Sequence, residues 1–307
     1  MSMKKNLSIA VISDIHTDFY IKADTSDAKL DAAMDKFIEN ELWIKNADVL
    51  VFAGDNSHYP RQNKLMLEKI AAKKIYKKIF VTFGNHDLYI ISNQQKSKYK
   101  TSWDKVLELK QICEEIDTVE FLDGNIVEVD GIKIGGTGGW YDFSYMKKMF
   151  NYNHFHALHK WKDTMNDATR IIGTDKMPEL NDSRTHIYGY GNYGQPRYSF
   201  DPFLFFKKEE EKILKIVEEC DIFITHIGPV VPPNLPISFQ KPETGFYYFD
   251  GAWMLEKAKA PKLWIYGHTH DNYFFKHHNT WLMCNPLGYK SENKNAEVQV
   301  IELTDLD

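Results

Sequence analysis

Leu7-Ser-Ile-Ala-Val-Ile-Ser-Asp-Ile-His16 is the stretch on which the rest of the chain turns. Leu7 to Ser13 is a short, nearly unbroken apolar run, the pattern of a strand buried on both faces. It stops abruptly at Asp14 and His16. In an extended chain, residues two apart point to the same side, so the pair predicts a grip for one ion at the end of a buried strand. Three later segments repeat the arrangement: Val49 to Ala53 closes on Gly54-Asp55, Ile79 to Phe83 on Gly84-Asn85-His86-Asp87, and Ile222 to Thr225 on His226. Gly267-His268-Thr269-His270 stands apart from this strand-closing pattern and adds two more imidazoles, again two apart.

Outward from these segments the chain alternates. Ala28 to Ile44, Leu65 to Ala72 and Ser102 to Ile116 carry helical apolar spacing, the last with Ser102 or Thr101 placed to cap it. Strand, helix, strand, helix, strand predicts parallel pairing in an α/β fold. Glu120 to Leu122, Asn125 to Val129 and Ile132 to Gly136 read as short strands of an antiparallel or mixed sheet, with Asp130-Gly131 a two-residue hairpin turn. Trp140 to Asp201 has few regular apolar periods and reads as an insertion, a cap or a substrate-facing segment, within one domain spanning residues 1–307. Phe205 to Glu219 returns to helix, and Leu263 to Tyr266 to strand, after a proline-rich loop from Pro229 to Pro242 and a short helix from Asp250 to Ala258. Strands at Tyr273 to Lys276, Thr280 to Cys284 and Val298 to Glu302 end the chain.

At 307 residues, with 43% hydrophobic and 26% charged residues, the chain can bury one sizeable core. A net charge of −5 leaves no basic face for wrapping long polyanions, while small anionic substrates stay compatible. Cys113, Cys220 and Cys284 show neither disulfide pairing nor zinc spacing, which fits a reducing, cytoplasmic compartment. No apolar run approaches the ~18 residues of a membrane span, and the run after Lys4-Lys5 is too short for a signal peptide.

Together the segments predict a two-metal site. Asp14, His16, Asp55 and His270 are assigned to one ion, and Asp55, Asn85, His226 and His268 to the other, with Asp55 bridging and water completing each shell. Mixed imidazole, carboxylate and amide ligands suit transition metals, Mn or Fe first and Zn or Co next, better than Mg or Ca. Only Asp14 and Asp55 are anionic in this set, so two divalent ions keep a surplus of about two positive charges, which draws in a phosphoryl group. Two such ions ~3.5–4 Å apart lower the pKa of a shared water toward ~7, so a bridging hydroxide serves as nucleophile. His86 is the candidate general acid, or donor to the leaving oxygen, pointing away from Asn85 in an extended segment; Asp87 is given a supporting role in shaping the turn.

Asp-x-His, Gly-Asp, Gly-Asn-His-Asp, a lone His and Gly-His-x-His, in this order from residue 14 to residue 270, resemble the calcineurin-like metallophosphoesterase superfamily. The resemblance implies a four-layer αββα sandwich of two mixed sheets flanked by helices, with metals at the strand ends. Gly54-Asp55-Asn56-Ser57-His58 departs from the Gly-Asp-x-Val-Asp-Arg-Gly of protein phosphatases. Gly-Asp-x-x-His is instead similar to the repair-nuclease branch, in which two histidines work together, so His58 enters as a catalytic partner of His86. The resulting expectation is a hydrolase of small phosphorylated substrates, nucleotides among them, with a nuclease acting on DNA or RNA ends and a non-catalytic scaffold as alternatives.

Other features read as structure. His154, His156 and His159 lack a carboxylate or cysteine at ligand spacing and are expected at a solvated surface, as are His277 and His278. The aromatic residues of the insertion could stack on a base, but packing against the core is the stronger reading. Arg170, Arg184 and Arg197 could each reach a phosphate, and each is individually expected to be solvated. The glycine-rich Gly135 turn lacks the Lys and Ser/Thr of a phosphate-binding loop.

Overall fold

In the computed structural model, residues 6–173, 200–292 and 297–306 are described. Their strands are β1 (Ser8–Ile12), β2 (Val49–Ala53), β3 (Lys78–Thr82), β4 (Val119–Phe121), β5 (Asn125–Val129), β6 (Ile132–Gly136), β7 (Ile222–Ile224), β8 (Leu263–Tyr266), β9 (Tyr273–His277), β10 (Thr280–Cys284) and β11 (Gln299–Glu302). One sheet runs β11-β1-β2-β3-β4, and the other β5-β6-β7-β8-β10-β9. In the first only β11 is antiparallel to its neighbour; in the second the central strands β6, β7, β8 and β10 are parallel and both edges antiparallel. Both sheets are therefore mixed, as expected.

Alternation along each strand divides the core. Ile9, Val11, Val49, Val51 and Phe80 of the first sheet meet Ile134, Ile222, Ile224, Leu263 and Ile265 of the second in the layer between the sheets. Ala10, Ile12, Leu50, Phe52, Ile79 and Val81 point the other way, onto the helices Asp27–Phe37, Pro60–Ala72 and Ser102–Glu114. Pro202–Ile216 covers the outer face of the second sheet through Phe205, Ile213 and Ile216. The result is the four-layer αββα arrangement.

Several expectations are corrected. The predicted helix from Ala28 to Ile44 is α-helical only over Asp27–Phe37, widens to a π turn over Ile38–Leu42 and stops at Trp43, whose backbone is left-handed. The second helix begins at Pro60, which tolerates the first helical turn because its missing N–H would be unpaired there. Thr101, not Ser102, caps the third, in a reciprocal box with Asp104. The Asp250 to Ala258 helix shrinks to Ala252–Leu255. Thr17–Tyr20 and Asn93–Lys98 are short helices that apolar spacing did not reveal.

The segment read as an insertion carries three helices among its described residues, Ser144–Phe150, His154–Thr164 and Asp167–Arg170. Trp140, Tyr141, Phe143, Met146 and Trp161 are buried in the same cluster as the helix-covered sheet faces. Arg184 and Arg197 lie outside the described residues. Among those described, no helix is long and apolar enough to cross a membrane.

Candidate metal centre

All five motif segments leave the carboxyl ends of strands, β1, β2 and β3 in one sheet and β7 and β8 in the other, so the site straddles the two sheets. The Gly267 segment follows β8 directly and closes a strand like the others. Beyond the strands the backbone is not extended. Asp14 (φ 50°), His16 (φ 44°), Asp55 (φ 56°), His268 (φ 72°) and His270 (φ 54°) all adopt left-handed conformations. Side chains two apart converge because the chain coils tightly between them, and not through the strand alternation that the spacing predicted. Such residues cost of order 1–3 kcal/mol each and persist only where the surroundings over-determine them.

Those surroundings are hydrogen bonds between loops. Asp14, His16 and Thr17 N–H groups donate to the carbonyls of Gly54, Asp55 and Asn56 at 3.0, 3.0 and 2.9 Å, zipping the first loop to the second. His268 N–H donates to the Asp14 carboxylate at 3.0 Å, and His86 N–H to Asp55 Oδ1 at 2.8 Å. The Asp87 carboxylate accepts from the N–H groups of Gly84 (2.8 Å) and Asp55 (2.9 Å). Asn85–Leu88 is consequently one helical turn and not the extended segment expected for His86.

Gly84 is required by close approach. A Cβ there would lie 2.7 Å from His226 Nε2 and even nearer to Asp55 Oδ1. Gly84→Ala should displace both side chains and lower kcat/KM by about 100-fold, the cost of misplacing reacting groups by ~1 Å. Steady-state kinetics on the metal-loaded protein check this, and near-normal kcat/KM would contradict the close-packed geometry.

The seven candidate ligands come together. His226 Nε2 lies 3.2 Å from Asn85 Oδ1, 3.4 Å from Asp55 Oδ2 and 4.0 Å from Asp14 Oδ1. His270 Nε2 lies 3.0 Å from His16 Nε2 and 3.6 Å from Asp14 Oδ1, and His16 Nε2 is 3.8 Å from Asp55 Oδ2. Ligand atoms of Asp14, His16 and His270 fall within 4.8 Å of one another, as do those of Asp55, His226 and His268. Asp55 Oδ2 thus faces His16 on one side and His226 on the other, the bridging place. His86 joins His16 and Asp55 in a third such group at the seam.

The donor set fits transition metals. His226 Nδ1 sits 2.8 Å from the Ala53 carbonyl and His270 Nδ1 2.7 Å from Glu292 Oε2, so each ring is oriented with Nε2 toward the cluster, as metal-ligating imidazoles are. Burial drives the pKa of His16 and of His268 down to about 3 and that of His86 well below its usual value, keeping these imidazoles neutral lone-pair donors. Burial also opposes charge on His226, yet the Asp55 and Asp14 carboxylates outweigh it and raise that pKa to about 9. The carboxylates thus hold a positive charge between them, the place that cations would take.

A family model for the calcineurin-like phosphoesterases matches residues 7–272. The chain belongs to this family. At 24% identity over 300 residues, covering 92% of each chain, this calcineurin-like phosphoesterase is similar to uncharacterized protein L509 of Acanthamoeba polyphaga mimivirus. Its fold is similar to that of the phosphopantetheinyl hydrolase PptH of Mycobacterium tuberculosis, with a TM-score of 0.64, 14% identity and coverage of 94% of this chain and 91% of that one.

Around the centre of this phosphoesterase stand residues that the sequence reading missed. Asp18 binds His58 Nδ1 at 2.6 Å and its N–H at 3.1 Å, leaving His58 Nε2 buried without a hydrogen-bond partner. The rings of His58 and His86 are 4.8 Å apart, and neither His58 nor Asp87 forms a hydrogen bond to the His86 ring among the described residues. Tyr289 OH is 3.4 Å from His86 Nε2. Lys105, buried, donates to the His86 and Tyr89 carbonyls at 3.1 and 2.8 Å and fixes the turn that carries Asn85. Asp167, fully buried, accepts from Asn85 Nδ2 at 2.9 Å, from Tyr141 OH at 2.5 Å and from Tyr89 OH. Asp18 continues the every-second-residue series of Asp14 and His16, a signal that could have been read; nothing in the local sequence marks Asp167 or Glu292. His154 stacks on Phe203; His159 pairs with Asp163 at 2.9 Å, which corrects the reading that no carboxylate stands at ligand spacing from these histidines, but both side chains are exposed.

Proposed function

We propose that this chain is a two-metal phosphoesterase that hydrolyses phosphomonoester or phosphodiester bonds of small phosphorylated molecules, nucleotides included. The observation that carries the reading is Asp55 Oδ2 set between His16 and His226, with a complete half-set of donors behind each. Asp14, His16, Asp55 and His270 would hold one ion and Asp55, Asn85, His226 and His268 the other. Bound divalent ions, Mn or Fe favoured by the donors and Zn or Co compatible, would supply Lewis acidity, an activated water and neutralisation of phosphoryl charge.

The chain's own residues supply the rest. His86 lies at the seam, its backbone N–H fixed on Asp55 and its carbonyl on Lys105. Because burial holds its pKa well below the usual range, it acts at neutral pH as a neutral N–H donor to the charge developing on the leaving oxygen. His58, held by Asp18, packs against that ring and limits its rotation. The buried thiols of Cys113, Cys220 and Cys284 have raised pKa values through burial and are inert, which suits a reducing, cytoplasmic compartment.

Turnover of paired chromogenic mono- and diesters with added Mn, Fe, Zn, Co or Mg tests the proposal. Metal-dependent release from at least one ester is expected, and no release with any metal would overturn it. A short single-stranded oligonucleotide should be a poorer substrate than mono- or dinucleotides, since a chain of net charge −5 lacks a basic track for a long polyanion.

A further inference from the structure

Beside His58 opens a cleft of about 410 Å³, lined by Phe19, His58, Ile90, Ile91, Lys96 and Arg170 and bordered by Asp18. Its walls are fixed. Ile90 N–H donates to the Arg170 carbonyl at 2.9 Å, and Ser102 N–H to the Ile172 carbonyl at 3.1 Å, so the Asp167–Arg170 helix is fastened to the loop that follows the His86 turn.

The cleft adjoins the candidate metal centre through His58, whose ring centroid lies 4.8 Å from that of His86. Arg170 Cζ lies 5.5 Å from the centroid of the Tyr89 ring, and that centroid is 4.5 Å from the centroid of the His86 ring. Tyr89 thus makes ring contacts with both Arg170 and His86. Neither Lys96 nor Arg170 is ion-paired among the described residues, while Asp18 is already engaged by His58. His58, which lines the same cleft, is itself buried and held by Asp18.

Two unneutralised cations in one cleft beside the leaving-oxygen donor fit an anion. We propose that the cleft binds a second phosphoryl group carried on the leaving portion of the substrate, with Arg170 and Lys96 as its ligands. The substrate class is then a small molecule bearing two phosphoryl groups joined by an organic spacer. Ile90, Ile91 and Phe19 supply apolar wall for the organic spacer, and Arg170, already lying over Tyr89, presents its planar fork to phosphate oxygens. This inference rests on the phosphoesterase reading for its first phosphoryl group only.

The test compares adenosine 5′-monophosphate with adenosine 3′,5′-bisphosphate as competitive inhibitors of bis(p-nitrophenyl) phosphate hydrolysis by Mn-loaded protein. The wild type should favour the bisphosphate by about tenfold, and Lys96→Gln/Arg170→Gln should abolish the preference. Arg170→Lys should keep part of it, and Lys96→Glu, at an exposed position, should reverse it in a protein whose circular dichroism is unchanged. An equal ratio of inhibition constants in wild type and variants would overturn the inference. If the wild type hydrolyses no ester with any metal, the phosphoesterase reading falls alone: calorimetric titration of adenosine 3′,5′-bisphosphate into metal-free wild type and double variant still decides whether the two cations bind the second phosphoryl group.

Discussion

Asp55→Asn is expected to lower turnover more than about a thousandfold, over about 4 kcal/mol of transition-state stabilisation, while leaving the chain folded. The substitution keeps the side chain's volume and leaves an amide oxygen to accept the His86 N–H, which now lies 2.8 Å from Oδ1. It removes the charge at the atom between His16 and His226. An amide oxygen is a weaker ligand than a carboxylate and cannot supply the negative charge that offsets two cations, so tightly held metal should fall from two ions to one or fewer. Metal analysis after gel filtration, read beside kcat and a thermal unfolding curve, checks the outcome. A variant retaining two ions and more than a tenth of wild-type turnover would remove the bridging role from Asp55.

Asp167→Ala should weaken metal binding by about 10–100-fold, the usual consequence of losing a group that orients a ligand. Asp167 takes the Asn85 amide nitrogen, which turns Oδ1 toward His226; without it the amide can flip and present NH₂ to a cation. The alanine variant also leaves the O–H donors of Tyr89 and Tyr141 without an acceptor, at about 1–3 kcal/mol for each buried donor, although the two oxygens still accept from Asn85 Nδ2 and Trp161 Nε1. Asp167→Asn separates the two effects. It can still accept from Asn85 and pair with a tyrosine hydroxyl, so metal affinity should largely return. Affinity is measured by competition with a chelating dye and stability by denaturant unfolding without metal. If the alanine variant is less stable but binds metal as tightly as the wild type, Asp167 is a packing residue only.

The architecture was legible because the strands that end in ligands are buried on both faces. Five apolar runs of β1, β2, β3, β7 and β8 stand out against polar loops, and all the motif segments follow them. What could not be read is how the chain behaves after each strand. Left-handed Asp14, His16, Asp55, His268 and His270 break the rule that alternate residues share a face, and only contacts between distant loops hold them in that state. Asp167 and Glu292 were invisible for a related reason. Each acts on a residue remote in sequence, Asn85 and His270 respectively, and neither lies in a local pattern that betrays it. The aromatic residues from Trp140 to Trp161 show the opposite limit: irregular spacing hid the short helices, although packing against the core was the stronger reading, and Trp140, Tyr141, Phe143 and Trp161 all lie in it.

Because Asp14, Asp55 and Asn85 stand on one sheet and His226, His268 and His270 on the other, each proposed ion would act as a rivet through the sandwich. Loading and folding then become a single equilibrium: every increment in occupancy adds to the resistance of the two layers to parting. Starvation for metal would cost standing protein as well as catalysis, since the bare seam would set the buried Asp14 and Asp55 carboxylates against imidazoles and backbone N–H groups in place of divalent charge.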